Sequence, residues 1–435
     1  MTTVPIINIG EKKMSIFIRR RSYLKIFILA MIIIAAILFQ SRTYSYLVNP
    51  SVRVNRERNL RLTRMKEIDK LLPQSTSANK KKVILLYTTF FGLKFWSNRN
   101  QQAFNREMSE VCPKENCIYT YDHALHLKTA DALLFHGKDV GQDDVKYMPS
   151  DLISLRHANK AYHQNWIFLS HESPMACLPD DKNKPYNNVF NWTATYNRLS
   201  DAFIPYGRYE RINTDKNAVV QPTNMKKNYA ASKTSLVAWQ VSNCGPQLRL
   251  KYVKKLEKYV DLVVFGGCAG RFKNKGGTCP RSNFNKCEEG LKKFKFYLSF
   301  ENSFCTDYVT EKYWNALSRE SVPVIMADST DEPGGAMIPG SFIDVHQFKS
   351  IKELADYLKF LDGNDAEYNK YFAWKDKFRT VADYSIYCEI CFQLNNQAGE
   401  QKVKELAFTD KFSRSKTCNQ WPDRRRDLER QIAEG

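Results

Sequence analysis

Acidic residues are in short supply in this 435-residue chain, where 46 Asp and Glu face 66 Lys and Arg for a formal net charge of +20. An excess of that size suits nucleic acid, a membrane surface or a phosphorylated substrate. No zinc-finger, RRM or basic-zipper pattern accompanies it, however. Its distribution is also uneven, since residues 1–82 carry 17 Lys and Arg against 4 Asp and Glu and so hold 13 of the 20 excess charges. The rest of the chain is only mildly basic, which argues against nucleic acid as a partner. A second C-x-x-C is missing as well. Cys388 and Cys391 form the one such pair, so a four-cysteine zinc site has no other half. With no thioredoxin-like context for a redox role, both are candidates for structural disulfides. There is no internal repeat and no extended low-complexity tract, which excludes solenoids and fibrous architectures.

A long apolar run is also lacking. Residues 26–39 are apolar for 14 positions, or 17 when 23–25 and a snorkelling Lys25 are included, which is short against the roughly 20 residues of a typical span. Lys12, Lys13, Arg19, Arg20 and Arg21 precede it and favour a cytoplasmic N-terminus, while Arg42 and Arg53 beyond it pull the other way. A cleaved signal peptide is the alternative, but residues 40–46 offer no small-x-small cleavage site. The expectation is a cytoplasmic tail at 1–22, an uncleaved type II anchor at 23–39, and a polar, basic stem at 40–82. The 11 cysteines, all beyond the anchor, then lie in an oxidising lumen where disulfides persist. An odd number leaves at least one unpaired or bonded to another chain.

Hydrophobic content of 43% with 13% aromatics supports a substantial core, and the length suits two domains. Short apolar runs at 83–88, 130–136, 166–170 and 202–205 form one set. Runs at 235–241, 261–266, 296–300 and 322–327 form a second. Runs of this kind between helical segments, such as 247–259 and 351–361, predict an α/β protein with parallel sheets. The Asn-, Lys- and Thr-rich stretch at 212–233 separates the two sets. Expected domains are therefore 83–220 and 221–394, with a tail at 395–435.

Candidate functional residues cluster where strands end. Directly after the run at 296–300, Asp307 is placed to cap a helix with Tyr308, Lys312 and Asn315 on one face. A helix opening at a strand end offers N–H groups to an anion, and Lys312 adds a full positive charge, so a diphosphate fits there. An ordinary exposed Glu-Lys helix turn is the plainer reading of Glu311 and Lys312 alone. Arg249, six residues after Asn243, sits where a helix begins after a strand, and its planar guanidinium suits bidentate phosphate binding. Glu172 follows a strand and precedes Pro174, in the kind of loop where α/β proteins hold ligands. A positioned carboxylate there can act as a general base, with His171 as the local competitor. The Gly266-Gly-Cys-Ala-Gly270 segment lacks phosphate-loop spacing and reads as a tight turn. Asn191-Trp-Thr193 is the sole N-glycosylation sequon in the sequence.

Three segments resemble glycosyltransferase family ten, the α1,3/4-fucosyltransferases. They are Trp166-Ile-Phe-Leu-Ser-His-Glu-Ser-Pro174 with Phe190-Asn-Trp-Thr-Ala-Thr-Tyr196 and Ile204-Pro-Tyr-Gly207; Leu236-Val-Ala-Trp-Gln-Val-Ser-Asn243; and Phe296-Tyr-Leu-Ser-Phe-Glu-Asn-Ser303 through Asp307-Tyr-Val-Thr-Glu-Lys312. The resemblance implies two facing Rossmann-like domains of GT-B type, with donor GDP-fucose on the C-terminal half and a GlcNAc-bearing glycan on the other. It implies a Golgi type II membrane enzyme. It gives the ribose to Glu311, phosphate to Lys312 and Arg249, other donor contacts to Asn302 and Tyr308, and the general base to Glu172. Transfer by displacement then inverts β-linked fucose to α. No two aspartates stand in a D-x-D spacing, so Arg249 and Lys312 are expected to carry the departing diphosphate, with no cofactor required and Mn²⁺ or Mg²⁺ at most stimulatory. Residues 328–335 and those after 398 follow no family pattern. A transferase using another nucleotide sugar, and an anchored glycan-binding protein without catalysis, are the competing functions.

Overall fold

The apolar runs fold into two six-stranded sheets, each entirely parallel. In the computed structural model the described residues are 81–92, 105, 112, 116–142, 154, 164–177, 189–212, 227–277, 284–327, 336–381, 385–396, 411–418 and 422–435. The expected tail and anchor, all but the last residues of the expected stem, and segment 328–335 lie outside them. Among the described residues no helix is long and apolar enough to cross a membrane.

The first sheet comprises β1 (Lys82–Leu86), β2 (Cys117–Thr120), β3 (Ala132–His136), β4 (Asn165–Ser170), β5 (Trp192–Thr195) and β6 (Ala202–Phe203), in the order β2-β1-β3-β4-β5-β6. After the edge strand β7 (Arg208–Arg211), the second comprises β8 (Ser235–Gln240), β9 (Leu262–Phe265), β10 (Asn274–Lys275), β11 (Phe294–Phe300), β12 (Val322–Met326) and β13 (Ile343–Asp344). Its order is β10-β9-β8-β11-β12-β13. Strand order reverses between β1 and β3 in one sheet and between β8 and β11 in the other, and ligands of open α/β sheets bind at such switch points. Every residue of β3, β11 and β12 is buried, the composition expected of strands covered on both faces.

Six helices matter for the site and for its support. They are α1 (Pro174–Cys177), α2 (Gln247–Leu256), α3 (Glu311–Ser318), α4 (Ile351–Asp362), α5 (Ile386–Asn396) and α6 (Pro422–Glu434). Tyr252, Val253 and Leu256 of α2 and Leu354, Ala355 and Leu358 of α4 pack into one core with β8, β11 and β12. Ser350 caps α4 by accepting the Glu353 N–H at 3.1 Å.

Residues 80–435 cluster as one unit, and the chain returns to its first half after completing its second. A last strand, β14 (Phe378–Val381), pairs antiparallel with β7. Although α5 falls within the range expected for the second domain, its Ile390 and Leu394 pack beneath the first sheet with Ile84, Leu134 and Ile167. Cys388 and Cys391 do not pair with each other. They bond to Cys112 and Cys117, closing loops of 276 and 274 residues that fasten α5 to the first sheet. Cys244–Cys268 and Cys305–Cys418 are also bridged, Cys287 is disulfide-bonded, and buried Cys177 is free. The tail expected at 395–435 likewise ends in structure, since α6 buries Leu428 in the second core.

Candidate functional site

The loop after β4 and the loop after β11 meet. Ser170 ends β4, and its hydroxyl donates to the Glu172 carbonyl at 2.9 Å, turning the chain sharply before α1. Ser173 then donates to the Ser303 hydroxyl at 2.8 Å, a buried bond between the two loops. Tyr308 brings its hydroxyl to 3.5 Å from Glu172 Oε2, at the long limit of a hydrogen bond. Burial, with Tyr206 and Glu172 alongside, pushes the Tyr308 phenol far above its ordinary pKa, so it stays a donor. The ring packs against Tyr196, with centroids 4.7 Å apart.

His171 is held differently. Its Nε2 lies 2.9 Å from the Ile204 carbonyl, an acceptor, so this nitrogen carries the proton. The ring stacks on Tyr206 with centroids 4.8 Å apart, and burial lowers its pKa to about 4. A ring so fixed is a satisfied structural histidine.

The helix expected from Asp307 starts later. Thr310 is the N-cap and α3 begins at Glu311, leaving Tyr308 outside the helix and off the face shared by Lys312 and Asn315. The reason is a competing partner for Asp307, which is engaged by Arg198 of the first half through its Nη2 at 2.6 Å, its Nε at 2.9 Å and its backbone N–H at 3.1 Å. A carboxylate committed to a guanidinium cannot cap.

Lys312 stands in the first turn of α3. Its Nζ donates to Thr310 Oγ1 at 2.7 Å, Glu311 Oε1 at 3.0 Å and Glu301 Oε2 at 3.3 Å. Burial works against its charge, but Glu301 and Glu311 outweigh it and hold the pKa above the ordinary lysine value. Glu301 is the residue that sequence reasoning passed over. It is only 3% exposed, accepts the Thr310 N–H at 2.8 Å, and anchors Lys312 at the strand end. The motif containing it was visible, but a carboxylate directly after a buried strand resembles any loop acid until its partner Lys312 is folded beside it. Glu311 is half exposed, and Asn302 Oδ1 accepts from Ser303 Oγ at 3.0 Å.

Arg249, third residue of α2, is buried at the switch point of the second sheet. One terminal nitrogen donates to the Phe300 carbonyl and the other to that of Asn243, both at 2.9 Å, bridging the loops after β11 and β8. Its Nε is buried without a hydrogen-bond partner. Burial lowers its pKa, yet a guanidinium remains charged. Nearby, Gly266 has φ of 91°, and a Cβ there would press on the Val241 carbonyl, so glycine is required for the turn after β9. Gly207 is required for another reason, because a Cβ would collide with the Trp314 ring of α3.

Asn191 lies half buried at the entrance to β5. Its Oδ1 accepts the Trp166 N–H at 2.6 Å and its Nδ2 donates to Asn165 at 3.1 Å, while Thr193 of the sequon is fully buried. Among the described residues, no group of three or more His, Cys, Asp or Glu is arranged to hold a metal ion.

Comparison with known proteins covers both halves. Residues 79–207 match the family model "Fucosyltransferase, N-terminal", and residues 230–408 match "Glycosyltransferase family 10 (fucosyltransferase) C-term". The chain is 36% identical over 338 residues to glycoprotein 3-alpha-L-fucosyltransferase A of Drosophila melanogaster, an alignment spanning 77% of this chain and 60% of that relative. It is 33% identical over 330 residues to the human 4-galactosyl-N-acetylglucosaminide 3-alpha-L-fucosyltransferase FUT6, spanning 75% and 82% of the two chains. A solved α1,3-fucosyltransferase structure with GDP-fucose aligns at a TM-score of 0.43 and 14% identity, covering 77% of this chain and 96% of that one.

Proposed function

The chain belongs to glycosyltransferase family 10, the fucosyltransferases, and on that footing we propose that it transfers fucose from GDP-fucose to the 3-hydroxyl of a GlcNAc residue on a glycoprotein glycan. The observation that carries this reading is the approach of Tyr308 to Glu172 at 3.5 Å, which joins the loop bearing the donor motif to the loop bearing the base. Glu172 removes the proton of the acceptor hydroxyl as that oxygen attacks the fucose anomeric carbon, and GDP leaves from the opposite face. One inverting displacement results, with oxocarbenium character at its peak. Glu172 is favoured over His171 because the histidine is fixed by its Nε2–H bond to a backbone carbonyl and by its stack on Tyr206.

The diphosphate belongs at the start of α3 and at the β8/β11 switch point. Lys312 stands there with its charge secured by Glu301, and buried Arg249 adds a second positive charge at the switch point. In this reading exposed Glu311 takes the ribose hydroxyls, and Asn302 and Tyr308 are further donor contacts, as the family resemblance implies. Two fixed cations can neutralise the leaving group, so no resident metal is needed and Mn²⁺ or Mg²⁺ is at most stimulatory. We further infer a GT-B enzyme held in the Golgi membrane as a type II protein by the apolar run at 23–39, a reading supported by the two parallel sheets and by the sequence of that run. The acceptor class follows the name of the Drosophila relative. The test is incubation of the full chain with GDP-fucose, or with other nucleotide sugars, and a panel of defined N-glycans. The reading requires a mass gain of one deoxyhexose with GDP-fucose alone, and transfer from a different nucleotide sugar instead would refute it.

A further inference from the structure

Asp307 has φ of 63°, in the left-handed region that residues other than glycine seldom enter, though Asp is among the more tolerant. Arg198, from the loop after β5, holds it there by three hydrogen bonds of 2.6 to 3.1 Å, and the Asp307 carboxylate is almost wholly buried. The next residue is Tyr308, whose hydroxyl points at Glu172 Oε2. One residue beyond Glu172, Ser173 bonds to Ser303 at 2.8 Å. The base and the tyrosine that faces it therefore each have a sequence neighbour tied across the two halves. Among the described residues the Tyr308 hydroxyl is the one side-chain donor to the Glu172 carboxylate.

We propose that Arg198 and Asp307 are positioning residues that clamp the loop after β11 onto the first half, aiming Tyr308 at Glu172 Oε2 so that Oε1 faces the acceptor hydroxyl. The proposal rests on the reading of Glu172 as the base. A carboxylate held by one oxygen keeps the other free and oriented. Loss of the clamp lets Tyr308 swing away. Glu172 then becomes a less well aimed base.

The titratable groups facing Glu172 are Tyr196, Tyr206, Tyr308, Cys177 and the adjoining His171. Burial raises the three phenols, lifts the Cys177 thiol to about 12 and lowers His171 to about 4, so none of them changes charge near neutral pH. A comparison of rates near neutral pH is therefore not disturbed by their titration.

The experiment compares full-length wild type with Arg198→Ala, Arg198→Lys and the Arg198→Ala/Asp307→Ala double variant. It measures kcat near pH 7 with GDP-fucose and a glycan that wild type accepts, and GDP affinity by calorimetry. Arg198→Ala should lower kcat by about 10²-fold, as a small misplacement of a catalytic group does. GDP affinity should hold. Arg198→Lys should recover much of the rate, and the double variant should be no worse than Arg198→Ala, because the two residues act as one unit. A wild-type kcat in Arg198→Ala, no recovery in Arg198→Lys, or a rate loss matched by loss of GDP binding, overturns the clamp. Wild type that transfers no fucose refutes the function itself and not the clamp alone.

Discussion

The Nε2 of His171 lies 2.9 Å from the carbonyl oxygen of Ile204, and this bond decides what the histidine beside Glu172 can do. A ring that donates to a buried carbonyl and stacks on Tyr206 is part of the frame around Glu172, the proposed base. Its neutrality has a consequence for stability. Unfolded, a histidine takes up a proton near pH 6.5, whereas burial keeps His171 neutral down to about pH 4. Between those values the unfolded state binds the extra proton, so stability falls as the pH drops.

The first prediction follows from that sign. His171 should contribute a loss of roughly 3 kcal/mol as pH falls from 6.5 to 4, and nothing above pH 7. His171→Gln, which retains a donor for Ile204 but cannot titrate, should show a flatter fall in urea midpoint over that window. Equal slopes in the two proteins would show that His171 is not the group responsible.

Much of this site can be read along the chain, and what cannot has an identifiable cause. Apolar runs ending at Ser170 and Phe300 locate the two loops, because strands buried on both faces admit few polar residues and their ends are sharp. Glu172 and Lys312 stand at those ends, where chemistry makes them candidates and the family resemblance implies their roles. The start of α3 does not follow, because the cap expected at Asp307 is taken by Arg198, 109 residues earlier in sequence. Glu301 was hidden for the same reason, its role existing only beside Lys312. Pairing of Cys388 with Cys112 and of Cys391 with Cys117 spans 276 and 274 residues, and no spacing rule reaches that far. Strands as short as β6 and β13 carry too few residues to show a period.

Lys312 is where binding and chemistry are expected to coincide. Lys312→Ala removes the cation that a departing diphosphate needs, and should lower kcat by about 10²-fold while raising KM for GDP-fucose. It also leaves buried Glu301 without its cation, so a drop in melting temperature should accompany it. Glu311→Ala should raise KM for the donor and leave kcat and the melting temperature near wild type. Unchanged donor kinetics in both variants would place the nucleotide elsewhere.

A third expectation concerns metal. On the proposal that Lys312 and Arg249 carry the leaving group, the full chain should retain a measurable part of its turnover in excess EDTA. Initial rates with and without chelator, then with Mn²⁺ restored, decide it. Complete loss that Mn²⁺ reverses would assign the diphosphate to a metal.

The most direct test of the whole account is Glu172→Gln, with GDP binding followed by calorimetry and fucose transfer by the mass shift of a defined glycan. Glutamine preserves size and hydrogen bonding but cannot take a proton, and the nucleotide contacts proposed here come from the other sheet. GDP affinity should therefore match wild type while transfer falls by a factor on the order of 10² to 10⁴. Near-normal transfer by Glu172→Gln at intact GDP affinity would contradict the account.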